Sequence, residues 1–132
     1  MKQHWSTPKP YSIDAAPAGQ WKKVIEAVPA KTVLRIEAKG SWSVGSLPCT
    51  PDGVLVAPAE SKALPNYPAG ALLGKLGGST SGSAEGTIFA IGEYCVVQSG
   101  DNPVPLFVAI NVSATATLEA SEKIALTISE AE

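Results

Sequence analysis

"KTVLRIEAKG", residues 31–40, alternates cleanly enough to set the fold class. Leu34, Ile36 and Ala38 fall on one side of an extended chain, and Val33, Arg35 and Glu37 on the other. That period of two is what a strand with one buried face requires. Working outward, "EKIALTI" repeats the pattern with Ile124, Leu126 and Ile128 against Ala125 and Thr127. "PLFVAINVSATATL" carries Leu106, Val108 and Ile110 on one face. "TIFAIGEYCVV" is nearly continuous in apolar and β-branched residues, the pattern of a central strand buried on both faces. "WKKVIEAVP" reads either as a strand or as two helical turns, and its confinement by the Gly19 turn and Pro29 favours the strand. With 11 prolines and 12 glycines punctuating these short segments, the expectation is all-β, a jelly-roll-like β-sandwich. The only helical element expected is a short turn around Ala71 to Lys75. Residues 1–12 read as a flexible N-terminal arm and residues 13–132 as a single sandwich domain. "GGSTSGSAEG", residues 77–86, has the composition of a flexible loop.

Length and charge exclude several classes of function. A chain of 132 residues buries roughly two-thirds of its unfolded surface, enough for one core. Its ten basic residues are dispersed and the formal net charge is −2, so no basic footprint for nucleic acid or an anionic membrane exists. No apolar run reaches the roughly 18 residues of a membrane-spanning helix, so no membrane insertion is expected. "MKQHWSTPKPYSIDAAPAGQW" lacks the apolar centre of a Sec-type signal. The expected location is cytoplasmic, or outside the cell by a route without such a signal.

Catalytic chemistry finds little to build on. In "ALPNYPAGALLGKLGGS", residues 63–79, Gly70, Gly74 and Lys75 imitate a phosphate loop, but the glycine spacing is one residue short. Leu76 stands where the magnesium-binding hydroxyl belongs. The single histidine, His4, lies in the arm, so no nucleophile–histidine pair can form in the core. Asp52, Glu85, Glu93 and Asp101 are scattered over loops without a spacing that pairs any two of them. The chain therefore reads as a protein without enzymatic activity. Cys49 and Cys95 leave a disulfide open, although Cys95 in "YCVV" reads as a small buried hydrophobe.

Binding chemistry has better material. Asn111, Ser113, Thr115, Thr117 and Glu119 share one face of an extended segment. They offer hard oxygen ligands for calcium or hydroxyl partners for a sugar, or else form the solvent side of a strand. Trp42 in "GSWSVG" either stacks on a sugar ring or is buried at a sandwich corner. Tyr67, between two prolines and beside Asn66, is a ligand-contact candidate.

The order "VLRIEAKGSWSVG", "PDG", "LPNYPAGALLGKLG", "FAIG", "PLFVAIN", "IALTI" resembles the LecA-type galactose-binding lectins and related bacterial carbohydrate-binding sandwich modules. The resemblance covers roughly residues 20 to 129. It implies a non-enzymatic, galactoside-binding, oligomeric lectin with calcium at one end. By that resemblance the turn around Ser43, Val44 and Gly45 gives a backbone carbonyl to the ion, and Asp52 through Tyr67 contact the sugar. The last calcium loop departs from the family pattern. Ile110-Asn111 stands in place of Asn-Asp, and "VSATATLEASEK" in place of an Asn-rich run. Losing a carboxylate weakens a calcium site. The expected sugar contacts are Trp42, Asp52, Asn66, Tyr67, Asn111 and Glu119, and the expected metal ligands Val44, Asn111, Thr115 and Thr117. The alternative is an assembly or protein-recognition sandwich that has lost sugar binding, with Trp5 of the arm anchored on a neighbouring subunit.

Overall fold

A computed structural model describes residues 5–13, 21–44, 47–53, 67–78, 86–112, 118–119 and 123–131, with backbone only at 44, 47, 118 and 119. Among these residues there is no helix. The strands are β1 (Lys9–Ile13), β2 (Lys22–Val28), β3 (Val33–Lys39), β4 (Trp42–Val44), β5 (Leu47–Cys49), β6 (Leu72–Leu76), β7 (Thr87–Ala90), β8 (Tyr94–Gln98), β9 (Val104–Ile110), β10 (Leu118–Glu119) and β11 (Ile124–Ala131). All pair antiparallel. One four-stranded sheet has the order β1-β11-β3-β8 and the other β2-β9-β6-β7. A small sheet, β10-β4-β5, is not strand-paired with either, and its Trp42 and Cys49 pack into the same core.

The two large sheets share one core, so the fold is an antiparallel β-sandwich. The alternation read in the sequence supplies its filling. Leu34, Ile36, Ala38, Ile124, Leu126 and Ile128 come from one sheet, and Leu106, Val108 and Ile110 from the other. Each Leu, Ile and Val among them contributes about 1.5–3 kcal/mol on leaving water. The pairing of Ile36 with Ile128, and of Ala38 with Leu126, keeps both sets on one face. β2 departs from strict alternation because its pairing with β9 shifts register twice, between Lys23 and Ile25 and between Ile25 and Val28.

Three local expectations are corrected. The segment Ala71 to Lys75 is not a helical turn: Leu72–Leu76 is strand β6, buried at every position. Leu72 and Leu76 enter the main core, while Leu73 joins a second cluster with Trp21, Ala71, Phe107 and Ala109. A helix of five residues cannot nucleate alone, and β6 is instead bonded on both sides, to β7 and β9. Gly74 lets the Phe89 ring pack against the β6 backbone, where any Cβ would force that ring to move. Second, "TIFAIGEYCVV" is two strands. The chain leaves the β6 sheet after Ala90, turns through Ile91, Gly92 and Glu93, and enters the other sheet at Tyr94. Both pieces lie at sheet edges and stay half exposed. Third, the outer face of β9 is not a solvent side, since Phe107 and Ala109 are buried in the second cluster. Lys75 is buried there too, its ammonium 4.8 Å from the Trp21 ring centre and 5.2 Å from that of Phe107.

The arm is held by its own chain over its described part. β1 pairs with β11 from Lys9 to Ile13, and Trp5 bridges to Ala131. Ser6 donates its N–H to the Glu130 carbonyl at 2.7 Å and accepts the Glu130 N–H on Oγ at 2.9 Å. The Arg35 guanidinium sits 4.6 Å from the Trp5 ring centre.

Candidate functional site

Of the residues singled out in the sequence, Trp42, Asp52, Tyr67 and Asn111 have described side chains, and they border two unlike places. The first is a sealed corner. Trp42 in β4 lies opposite Cys49 in β5, is 4% exposed, and donates its Nε1–H to the Gly70 carbonyl at 2.9 Å. Cys49 is buried beside it, with Sγ donating to the Thr50 carbonyl at 3.1 Å and near the Gly70 carbonyl at 3.5 Å. Burial pushes the Cys49 thiol above its ordinary value, against smaller lowering effects from Trp42 and the Gly53 backbone. Neither cysteine forms a disulfide.

Asn111 completes this corner. β9 ends at Ile110, and Asn111 turns inward at 1% exposure rather than continuing a solvent face. Its Nδ2 donates to the carbonyls of Tyr67 and Pro68 at 3.0 and 3.1 Å. Its backbone exchanges bonds with the same loop: Gly70 N–H to the Asn111 carbonyl at 2.8 Å, and Asn111 N–H to the Ala71 carbonyl at 2.9 Å. Tyr67 is half-buried, its hydroxyl 3.3 Å from the Ile88 carbonyl it donates to. Buried carbonyls need such donors, so this geometry is a clamp on the 67–71 loop.

Trp42 is 4% exposed with its Nε1–H on the Gly70 carbonyl, and Asn111 is 1% exposed with its Nδ2 on two carbonyls, so both residues face the interior of the fold. Asn111 faces inward as a donor where the lectins carry a carboxylate, and no described group of three or more His, Cys, Asp or Glu converges to hold a metal. Of the other expected contacts, Asn66, Thr115 and Thr117 lie outside the described residues. Val44 and Glu119 are described by backbone only, as partners in β4–β10 pairing near Ser43 and Leu118.

The second place is an open cleft of about 450 Å³ lined by Glu37, Ala38, Lys39, Gly40, Pro51, Glu93 and Tyr94. β3 supplies Glu37 through Lys39, and its pairing with β8 sets Tyr94 directly beside Glu37. The Tyr94 ring is 56% exposed, a large aromatic surface offered to solvent. Asp52 holds the floor. Its Oδ1 accepts the Glu93 N–H at 2.9 Å, and its own N–H donates to Thr50 Oγ1 at 3.3 Å. Gly92 takes φ +61°, and a Cβ there would strike Asp52 Oδ1. Pro51 joins the two places: it lines the cleft while its carbonyl accepts the Leu72 N–H at 2.8 Å. Gly40 does the same from the other wall, packed against the Trp42 ring.

Sequence reasoning named Asp52 and missed the cleft itself. Tyr94 was hidden inside a run that reads as one buried strand. The signal was the Gly92-Glu93 pair, which breaks that run and marks a turn where a following aromatic can be exposed.

The fold and the cleft define a class: an antiparallel β-sandwich with an aromatic and acidic cleft at one end. No protein-family model matches the chain, and no curated protein matches it either. The likeness to galactose-binding lectins therefore rests on the motifs themselves.

Proposed function

We propose that the chain is a non-enzymatic, saccharide-binding β-sandwich whose ligand rests in the cleft of Glu37, Lys39, Glu93 and Tyr94. The observation that carries this reading is the exposed Tyr94 ring beside two carboxylates and an ammonium. A pyranose has an apolar face of C–H groups and a rim of hydroxyls. It matches an aromatic plane flanked by strong acceptors and a donor. The motif resemblance favours a galactoside among saccharides. Direct hydroxyl contacts to Glu37 and Glu93 need no bridging calcium, so the same affinity is expected with calcium and with a chelator. An open cleft buries little of a ligand, which keeps affinity per site modest and gives multivalency its value. Calorimetric titration with methyl galactoside tests it. Heat of binding in the parent chain, absent in Tyr94→Ala, supports the reading, and no heat with any common monosaccharide in the parent chain counts against it.

The second reading, an assembly or protein-recognition sandwich, is favoured by the burial of Trp42 and Asn111. Two residues at lectin-like positions serve packing here. It expects a change of oligomeric state or partner capture without any saccharide response.

A further inference from the structure

The four outer strands of the two large sheets are not guarded alike. β1 carries Lys9 and Pro10, and β2 carries Lys22, Lys23 and Glu26 together with two register breaks. Charges, prolines and bulges are the usual devices that stop one sheet edge from pairing with another. The opposite side of the sandwich has none of them: β7 reads "TIFA" and β8 reads "YCVVQ".

β8 is also the better template. Ala38 donates to the Glu93 carbonyl and Ser99 to the Thr32 carbonyl, so the residues of β8 that bond to β3 are Cys95 and Val97. Tyr94, Val96 and Gln98 turn their N–H and C=O groups outward, and no described residue pairs with them. Their side chains stand on the exposed face, with Val96 52% and Tyr94 56% exposed. On β7, where Ile91 bonds to the Leu72 carbonyl, only Ile88 and Ala90 face outward.

We propose that β8 pairs antiparallel with β8 of a second copy of this chain about a twofold axis through Val96, joining the two β1-β11-β3-β8 sheets into one. The register is self-consistent. With Val96 opposite Val96 of the partner, Tyr94 falls opposite Gln98, and every facing pair consists of residues whose bonding groups point outward. Each pair exchanges two N–H···O bonds. The row through the axis reads Arg35, Val96, Val96, Arg35. The two Arg35 residues stand three strand spacings apart, about 14 Å, beyond the roughly 8 Å Debye length at physiological salt. The row on either side reads Glu37, Tyr94, Gln98, Val33, so no like charges face each other. The isologous contact closes on itself, and the dimer leaves no second β8 edge to propagate.

The proposal does not depend on saccharide binding and is tested separately. A single strand pair is a small interface, so association should follow concentration. Light scattering over a series reaching millimolar should show the mass rising from 13.6 kDa toward twice that value. Val96→Lys sets two like charges against each other at the axis. Val96→Pro removes the central outward N–H and no bond to β3. Both variants should stay at the single-chain mass. Amide exchange provides a readout without substitution: Tyr94, Val96 and Gln98 should slow as the parent chain is concentrated. This readout decides if either variant loses its circular dichroism signal. A parent chain that remains at single-chain mass overturns the proposal, whether or not a foreign extended peptide then occupies the edge. A dimer that persists in both folded variants, or exchange at these amides that is independent of concentration, overturns it equally.

Discussion

The sealed corner and the open cleft share one end of the molecule and even share walls, yet they treat polar groups in opposite ways. In the corner every named donor has an internal carbonyl: Trp42 Nε1 has Gly70, and Asn111 Nδ2 has Tyr67 and Pro68. In the cleft the carboxylates of Glu37 and Glu93 and the Tyr94 ring face water. An aromatic and an amide inside a lectin-like motif thus mark a ligand site only if the fold leaves their polar atoms unengaged. Here the fold engages them at Trp42 and Asn111, and the neighbouring surface is where we place the proposed ligand.

That contrast breaks cleanly under substitution. The largest effect should come from Trp42→Ala, which opens a cavity and leaves the Gly70 carbonyl with only the long contact from Cys49 Sγ at 3.5 Å. Loss of about 3–5 kcal/mol of unfolding free energy is expected by urea denaturation. Asn111→Ala leaves the part-buried Tyr67 carbonyl without this donor, and the Pro68 carbonyl with only the Ala71 N–H at 3.2 Å, and should lose about 1–2 kcal/mol by the same measurement. Neither change should alter saccharide contacts in the molecules that remain folded.

The thiols sharpen the comparison through pH. Burial pushes Cys95 up to about 11, above its ordinary 9.0. The folded chain therefore holds the thiol proton over that window while the unfolded chain releases it. Stability from this group is complete below pH 9 and falls as pH rises toward 11. At 1.36 kcal/mol per unit, reduced for partial exposure, the fall from this group is on the order of 2 kcal/mol, and Cys95→Ala should remove that share while leaving the one from Cys49. Cys49, raised in the same direction by burial, should react slowly with a thiol reagent in the parent chain and faster once Trp42→Ala opens the corner.

Asp52→Ala stands between the two places. It removes the acceptor of the Glu93 N–H and should lower stability by about 1 kcal/mol while loosening the cleft floor, so binding and stability fall together. The smallest effect on folding should come from Tyr94→Ala, within about 0.5 kcal/mol, because the ring is largely in water. Its effect should fall on binding instead.

How much of this was legible in the sequence follows the same division. β3 and β11 announced their inward residues by alternation, because burial on one face imposes a period of two, whereas β9 announced Leu106, Val108 and Ile110 but not the burial of Phe107 and Ala109 on its other face. β6 did not, because it is buried on both faces and its glycine answers to Phe89, a partner 15 positions away in the chain. "TIFAIGEYCVV" concealed a crossing between sheets, since an apolar run reads alike whether it lies at a sheet centre or at two edges. Trp42 and Asn111 were visible as chemically able residues. Their acceptors lie 28 residues away for Trp42 and 43 and 44 residues away for Asn111. Only the closed fold shows that those acceptors are there.

The most direct test is a calorimetric series of galactose, glucose, mannose and N-acetylglucosamine against the parent chain, Tyr94→Ala and Trp42→Phe, each with calcium and with a chelator. The account predicts saturable binding of at least one sugar by the parent chain, unchanged affinity in Trp42→Phe, loss of tenfold or more in Tyr94→Ala, and indifference to calcium. Silence from the parent chain toward every sugar would contradict it, as would binding that survives Tyr94→Ala and disappears in Trp42→Phe.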